Sequence, residues 1–264
     1  MGKIEKLLSM QSTKLLNRLR MASHRDRSPY FLRHMGVEIC IDPLVFSKPI
    51  IASIMDGGYE AAEARHILSL LGPGETVLEI GAGCGFLSTL MAKQPNCKAV
   101  HAVEANPELI AIIKATYQKN EVAVTLYNEV LGECDGEVEF FLSDDFWGSG
   151  LSKALGRRSV SVRQATFQSR LSAIRPTMIV CDIEGGEADL FRNADLSHIN
   201  KIVVELHEDI IGPDGVGAVF DELAKRGFSY DSAHSSYSVV TFSRRKKCQK
   251  WLLQGPSSNS RNSA

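Results

Sequence analysis

Three carboxylates crowd one short stretch of the chain, Asp182-Ile183-Glu184-Gly185-Gly186-Glu187, and a fourth lies beside a histidine in Glu205-Leu206-His207. Each stretch meets an apolar run, Met178–Asp182 and Lys201–Leu206, that reads as a buried parallel strand. Two residues apart on a strand, Glu205 and His207 face one side. A buried strand carries such groups only where they have partners. Three readings compete. His207, whose ordinary pKa lies near neutrality, can take a proton from a hydroxyl, with Glu184 or Asp182 orienting it. The acids and His207 can instead hold a divalent cation that polarises an oxygen, although their spacing is not a recognised ligand pattern. The structural alternative makes Glu187 a helix N-terminal acid and Glu205–His207 a hydrogen-bonded pair.

A second constellation lies upstream. The run Thr76–Ile80 passes into Glu79-Ile80-Gly81-Ala82-Gly83-Cys84-Gly85. Alternate glycines let the backbone turn tightly and let a ligand approach with no Cβ in the way. The helix expected next offers unpaired N–H groups. The dinucleotide fingerprint is G-x-G-x-x-G, and here the third glycine, Gly85, comes one residue early. The next strand ends Val103-Glu104-Ala105-Asn106-Pro107, where a carboxylate can accept from both hydroxyls of a ribose. Loop and acid together point to an adenosine-bearing ligand.

The elements that must position these residues alternate. Strands are expected at Thr76–Ile80, Ala99–Val103, Val122–Tyr127, Met178–Asp182 and Lys201–Leu206. Helices are expected at Leu87–Lys93, Pro107–Gln118 and Gly215–Arg226, the second with proline in its first turn. Glu137–Leu142 and Ser159–Arg163 read as strands of an elaborated region, with a Trp147-containing turn between them that suits a lid or a loop anchor. Phe228–Asp231 and Ser238–Phe242 read as a final antiparallel pair. Such alternation means an α/β fold, a Rossmann-like, doubly wound, mostly parallel sheet, with ligands bound beyond the strands' carboxyl ends.

The 264 residues suit one large domain with short appendages. Residues 1–35 hold eight Lys/Arg against two acids, and residues 243–264 hold six and none. Between them stand 16 basic and 29 acidic residues, unlike the basic face of a nucleic-acid binder. The N-terminal Ile4, Leu7, Leu8, Leu15, Leu16 and Leu19 lie near one helical face, which suits docking on the body or a homo-oligomer contact. Gln254–Ala264 reads as a disordered tail. Six scattered cysteines without a C-x-x-C pair argue for free thiols and a cytoplasmic setting. No secretory signal and no run of ~20 apolar residues is visible, so no transmembrane segment is expected. His24, His34, His66, His101, His198 and His234 lack ligand spacing and read as structural or solvated.

With these motifs in view, the chain resembles a known family. Val77–Ser88 is similar to motif I of class I S-adenosylmethionine-dependent methyltransferases, and Val103–Asn106 to the acidic motif after their second strand. Gly58-Tyr59-Glu60, the Asp182–Glu187 run (an Asp-x-Glu-Gly-x-Glu signature) and Val204–His207 (a Glu-x-His segment) resemble the FkbM-type members, from about Gly57 to Tyr230. The resemblance implies the class I methyltransferase fold over residues 46–243, with a basic helical extension at 1–45 and a basic tail at 244–264. It implies S-adenosylmethionine over Gly81, Ala82, Gly83 and Gly85, with Glu79 facing its amino group and Glu104 its ribose. Ala105 and Asn128 would neighbour the adenine. Tyr59 and Glu60 would close over the methionyl end, and Asp182 would touch the cofactor. His207, Glu184 and Asp182 would be catalytic, with no protein metal site assigned and a divalent cation an open addition. Two departures stand out: Cys84 where relatives often have Asn, and no acid in Phe167–Arg170 after Thr166.

The expected function is O-methylation of a small molecule or glycan, the choice of oxygen coming from the resemblance. Rivals are a dinucleotide-dependent oxidoreductase, disfavoured by Gly85, and a non-catalytic cofactor-binding protein of the same fold. Nucleic acid is not the expected acceptor: the body is acidic and no Asn/Asp-Pro-Pro-aromatic motif is present.

Overall fold

The computed structural model describes residues 12–18, 28–143, 146–153 and 158–244, the side chain of Trp147 excepted. A hairpin of β1 (Tyr30–His34) and β2 (Val37–Ile41) precedes helices α1 (Lys48–Asp56) and α2 (Ala61–Leu70). The alternating core follows: β3 (Glu75–Ile80), α3 (Phe86–Ala92), β4 (Cys97–Glu104), α4 (Ile110–Lys119) and β5 (Val124–Asn128). An insertion supplies β6 (Val130–Gly132), β7 (Gly136–Leu142) and β8 (Arg158–Thr166). Then come α5 (Phe167–Ile174), β9 (Met178–Cys181), α6 (Glu187–Leu190), β10 (Lys201–Glu205), α7 (Glu208–Lys225), β11 (Phe228–Tyr230) and β12 (Val239–Arg244).

Seven strands form the main sheet in the order β5-β4-β3-β9-β10-β12-β11. All pairs are parallel except those of β12, which runs antiparallel to β10 and β11. This is the expected Rossmann-like sheet with its C-terminal antiparallel pair. The chain winds outward from β3 to β5, then returns to the other side of β3 at β9. The switch point therefore lies between the ends of β3 and β9, where a crevice opens.

Alternation along the buried strands builds two cores. Val77, Val180 and Val203 face one core, shared with Ile50, Ile67, Phe86 and Ile113 of α1 to α4. Their neighbours Leu78, Ile179 and Val204 face the other, shared with Leu171, Leu190 and Val219 of α5 to α7. The period of two thus covers both faces of the sheet with helices. The insertion forms a separate three-stranded sheet, β6-β8-β7, with its own small core of Val130, Phe140, Leu142 and Val162.

The structure corrects the helical reading of residues 1–45. Residues 12–18 are helical, but Tyr30–Ile41 is a hairpin whose Leu32, Ile39 and Ile41 are fully buried in the first core. Its turn places Met35 and Gly36 at positive φ, 46° and 85°, as a tight hairpin turn of the primed type requires. Both outer edges are capped by side chains. Asn120 exchanges two hydrogen bonds with the Glu38 backbone and Thr116 accepts from Cys40 N–H, while Asn17 exchanges two with the Arg33 backbone. These groups satisfy strand edges that would otherwise lie open. The rest of the expected N-terminal helix and the C-terminal tail fall outside the described residues.

Smaller differences follow from turns. Pro107 precedes its helix, in a turn that ends where α4 begins at Ile110. The last long helix is entered at Glu208, broken at Gly212 (φ 68°) before Pro213, and continued through Lys225. Among the described residues no helix is long and apolar enough to cross a membrane, and the described cysteines are free.

Candidate active site

The crevice at the switch point is a cleft of about 870 Å³. Its floor is the loop after β3, tied down by Gly81 N–H and Ala82 N–H, which both donate to Val103 O (2.9 and 3.1 Å). At Gly81 (φ +87°) a Cβ would lie 1.7 Å from Asp182 O, so the crossing of the two loops admits only glycine there. Gly83 (φ +53°) lies under Tyr59 and Phe146, whose side chains a Cβ there would touch at 3.5 and 3.6 Å. Gly85 serves packing, since a Cβ there would press Ile113 and Tyr117 of α4 at 3.1 Å.

Glu104 locks the loop end of β4 to this floor. Its carboxylate accepts from Gly83 N–H (2.8 Å) and Asn106 N–H (2.7 Å). Burial pushes its carboxyl up to about 7 although these amides favour the anion. Glu79 is 1% exposed and neither of its carboxylate oxygens has a hydrogen-bond partner. Burial raises it to about 8, with Glu104 and Asp182 adding; Ser88, engaged with Tyr117 Oη at 2.8 Å, opposes only in part. A buried unpaired acid at a ligand cleft calls for a cationic partner.

Tyr59 and Glu60 line the cleft beside Gly83. Tyr59 is held from two sides: Cys84 Sγ–H donates to its hydroxyl (3.7 Å) and His34 Nε2 bonds its carbonyl (2.7 Å). Cys84 is fully buried, so the thiol packs and points at the tyrosine. Glu60 sits at the start of α2 with φ 44°, a left-handed conformation that a non-glycine residue holds only under constraint.

The acidic cluster gathers at the ends of β9 and β10. The strand ends at Glu205, and His207 lies beyond it as the N-cap of α7. His207 does not pair with Glu205 as the structural reading expected. Its Nδ1 bonds Glu187 Oε1 (2.5 Å), while Nε2 faces Glu184 (3.5 Å) and Asp182 (3.7 Å). Glu205 instead accepts from Ser238 Oγ (2.8 Å). Burial opposes charge on the imidazole, but the Glu187 bond and the charges of Asp182 and Glu184 outweigh it and raise its pKa. Asp182 and Glu184 are raised by burial, with His207 opposing.

Of the residues expected at the site, Tyr59, Glu60, Gly81, Gly83, Glu104, Ala105, Asp182 and Glu184 line the cleft. Glu79, Ala82, Gly85 and His207 stand behind it. Asn128 is not among the cleft-lining residues but adjoins two that are: its amide donates to the carbonyls of Glu104 (2.9 Å) and Ala105 (3.1 Å), and so props the loop. Sequence reasoning missed Glu129, which lines the cleft while pairing bidentately with Arg170, itself stacked 4.4 Å over Tyr127. It also missed the use of Thr166-Phe167-Gln168, which line the cleft without the acid expected there. Thr166 caps α5, accepting from Ser169 N–H (3.2 Å), and the S/T-initiated helix was the available signal. Phe146, Ser149 and Gly150 of the Trp147 turn also line the cleft, and Gly150 bridges Glu184; Asp144 and Asp145 lie outside the described residues.

Comparison with known proteins adds the following. The family described as Methyltransferase FkbM domain matches residues 79–230. No curated protein matches the sequence. Among solved structures, Trm5b from Pyrococcus abyssi is similar at 15% identity over 83% of this chain and 56% of that one, with a TM-score of 0.48. M. jannaschii TYW2, solved with AdoMet, aligns at 12% identity over 84% and 89% of the two chains (TM-score 0.45). A methyltransferase from Pyrococcus furiosus aligns at 15% over 89% and 98% (TM-score 0.47).

Proposed function

The chain belongs to the FkbM methyltransferase domain family, and from that premise we propose that it transfers the methyl group of S-adenosylmethionine to a hydroxyl oxygen of a small molecule or glycan. One observation carries the choice of donor. The buried carboxylate of Glu79, with neither oxygen hydrogen-bonded, and the ribose-type acid Glu104, bonded to Gly83 N–H, accompany the glycine loop Gly81–Gly85. An ammonium group and a ribose diol suit that pair of acids. The cofactor, when bound, supplies an activated sulfonium methyl.

The protein's own work is then mainly alignment. Gly81 and Gly83 admit the methionyl chain, and Ala82 and Gly85 set the loop that carries them. Tyr59 and Glu60 close that end. Ala105 flanks the adenine and Asn128 fixes the loop bearing it. Asp182 and Glu184 meet the acceptor from the far side. The sequence makes His207 the base. The geometry favours Glu184 for the proton, because Glu184 lines the cleft, whereas His207 stands behind it, bonded to Glu187. His207 then supports the charge of Asp182 and Glu184.

Seven acidic residues line the cleft against one basic residue, Arg192, among the described residues. This supports a neutral hydroxylated acceptor over nucleic acid or another polyanion. The oxidoreductase rival is weakened by the position of Gly85, one residue earlier than the third glycine of the dinucleotide fingerprint. The test is transfer of labelled methyl from S-adenosylmethionine to panels of polyols, phenols and oligosaccharides, with matched amines and thiols. We expect label on hydroxyl acceptors, and Glu184→Gln to lower kcat by ~100-fold or more while donor affinity holds. Label confined to amines or thiols, or an unaffected Glu184→Gln, contradicts the reading.

A further inference from the structure

Behind the cleft, we propose, the side chains of Asp182, Glu205 and His207 form a binding site for one divalent cation of the magnesium or manganese class. The inference rests on the methyl-transfer reading for the cation's use, not for its place.

One ligand atom from each of the three residues lies within 4.8 Å of the others. They come from the ends of the adjacent parallel strands β9 and β10, next to the switch point. His207 Nδ1 is committed to Glu187, which turns Nε2 toward the acids. A histidine that binds a metal through one nitrogen commonly donates the other N–H to a carboxylate in this way.

Glu187 itself gives an independent sign. It is fully buried, and its second oxygen has no hydrogen-bond partner. A carboxylate wholly removed from water and only half satisfied is costly unless further positive charge stands nearby. The surrounding balance points the same way. Glu63 of α2, its carboxyl pKa raised first by burial, stands close enough for the Glu205 charge to raise it further, so Glu63 and Glu205 join the three carboxylates that face the imidazole. Among the described residues no Lys or Arg pairs with any of the five. Two other buried acids are answered by cations, Glu75 by Lys201 (2.7 Å) and Glu129 by Arg170.

Two carboxylates and an imidazole suit an oxygen-preferring divalent ion and leave positions for water or substrate oxygen. Asp182 lines the cleft as well as belonging to the triad, so the ion would stand as a Lewis acid beside the acceptor.

The test is titration of the full chain with Mn²⁺, reading the electron paramagnetic resonance signal of the free ion. We expect one Mn²⁺ per chain, displaced by excess Mg²⁺. Glu187→Gln, which touches the site only through His207, should weaken binding ~10–100-fold, and Glu205→Gln at least as much. Calorimetric binding of S-adenosylmethionine by both variants checks that they fold. A chain that binds S-adenosylmethionine yet leaves millimolar Mn²⁺ free, or variants that bind Mn²⁺ as the parent does, would overturn the site. Mn²⁺ binding that the variants lose, in a chain indifferent to S-adenosylmethionine, would uphold the site and remove the donor reading.

Discussion

Glu104 shows how one residue links loop geometry to ligand binding. Its carboxylate accepts from the Gly83 and Asn106 N–H groups, and burial pushes its carboxyl up to about 7. The ionised form is the one that accepts from ribose hydroxyls. Below pH 7 the group is protonated and loses that capacity; above pH 7 it is fully available. Donor affinity should therefore weaken as pH falls through 7, by up to about tenfold per unit. Glu79, near 8, acts with the same sign toward an ammonium group, so Glu104→Gln should flatten the profile without erasing it. Calorimetry from pH 6 to 9 checks this; an affinity that rises as pH falls contradicts it. At this scale the sequence revealed the identities better than the partners. Glycine spacing and the acid after β4 mark the floor, because only small residues and a carboxylate serve there. The Glu187–His207 bond was not legible, because it joins residues 20 apart whose approach depends on where α6 and α7 begin.

The elements divide along a similar line. Strands β3, β4, β9 and β10 were legible because short apolar runs bounded by turn-forming or polar residues have few other uses. The hairpin β1–β2 was not. Its turn uses Met35 where asparagine or aspartate is the usual signal, and its polar edges are answered by residues far along the chain, Thr116 and Asn120. Yet the hairpin belongs to the first core, and His34 at its end bonds the carbonyl of Tyr59. Ile39→Ala, at a fully buried position, should cost about 2–5 kcal/mol. Urea unfolding should show one transition shifted to lower denaturant. A cost under about 1 kcal/mol, or a separate early transition, contradicts an integral hairpin. Asn128 is a small case of the same kind: its position after β5 marked it in the sequence, but the bonds of its amide to two carbonyls of the neighbouring loop depend on the pairing of β4 with β5.

Across the whole molecule, the doubly wound sheet brings the ends of β3, β4, β9 and β10 to one edge, and every residue assigned a chemical role lies at or just behind that edge. Seven acidic residues of the body line the cleft, a lining that disfavours anionic ligands. The fold was legible from strand and helix alternation, and β7 and β8 were expected as strands, whereas the cleft lining that the insertion and the Trp147 turn supply was not, because the turn carries no regular pattern. The most direct test of the account is calorimetric titration of the purified chain with S-adenosylmethionine, with NAD in parallel and Glu104→Ala alongside. The account predicts micromolar binding of S-adenosylmethionine, its loss in Glu104→Ala, and no heat with NAD. A folded chain that gives no heat with S-adenosylmethionine, or that prefers NAD, contradicts it.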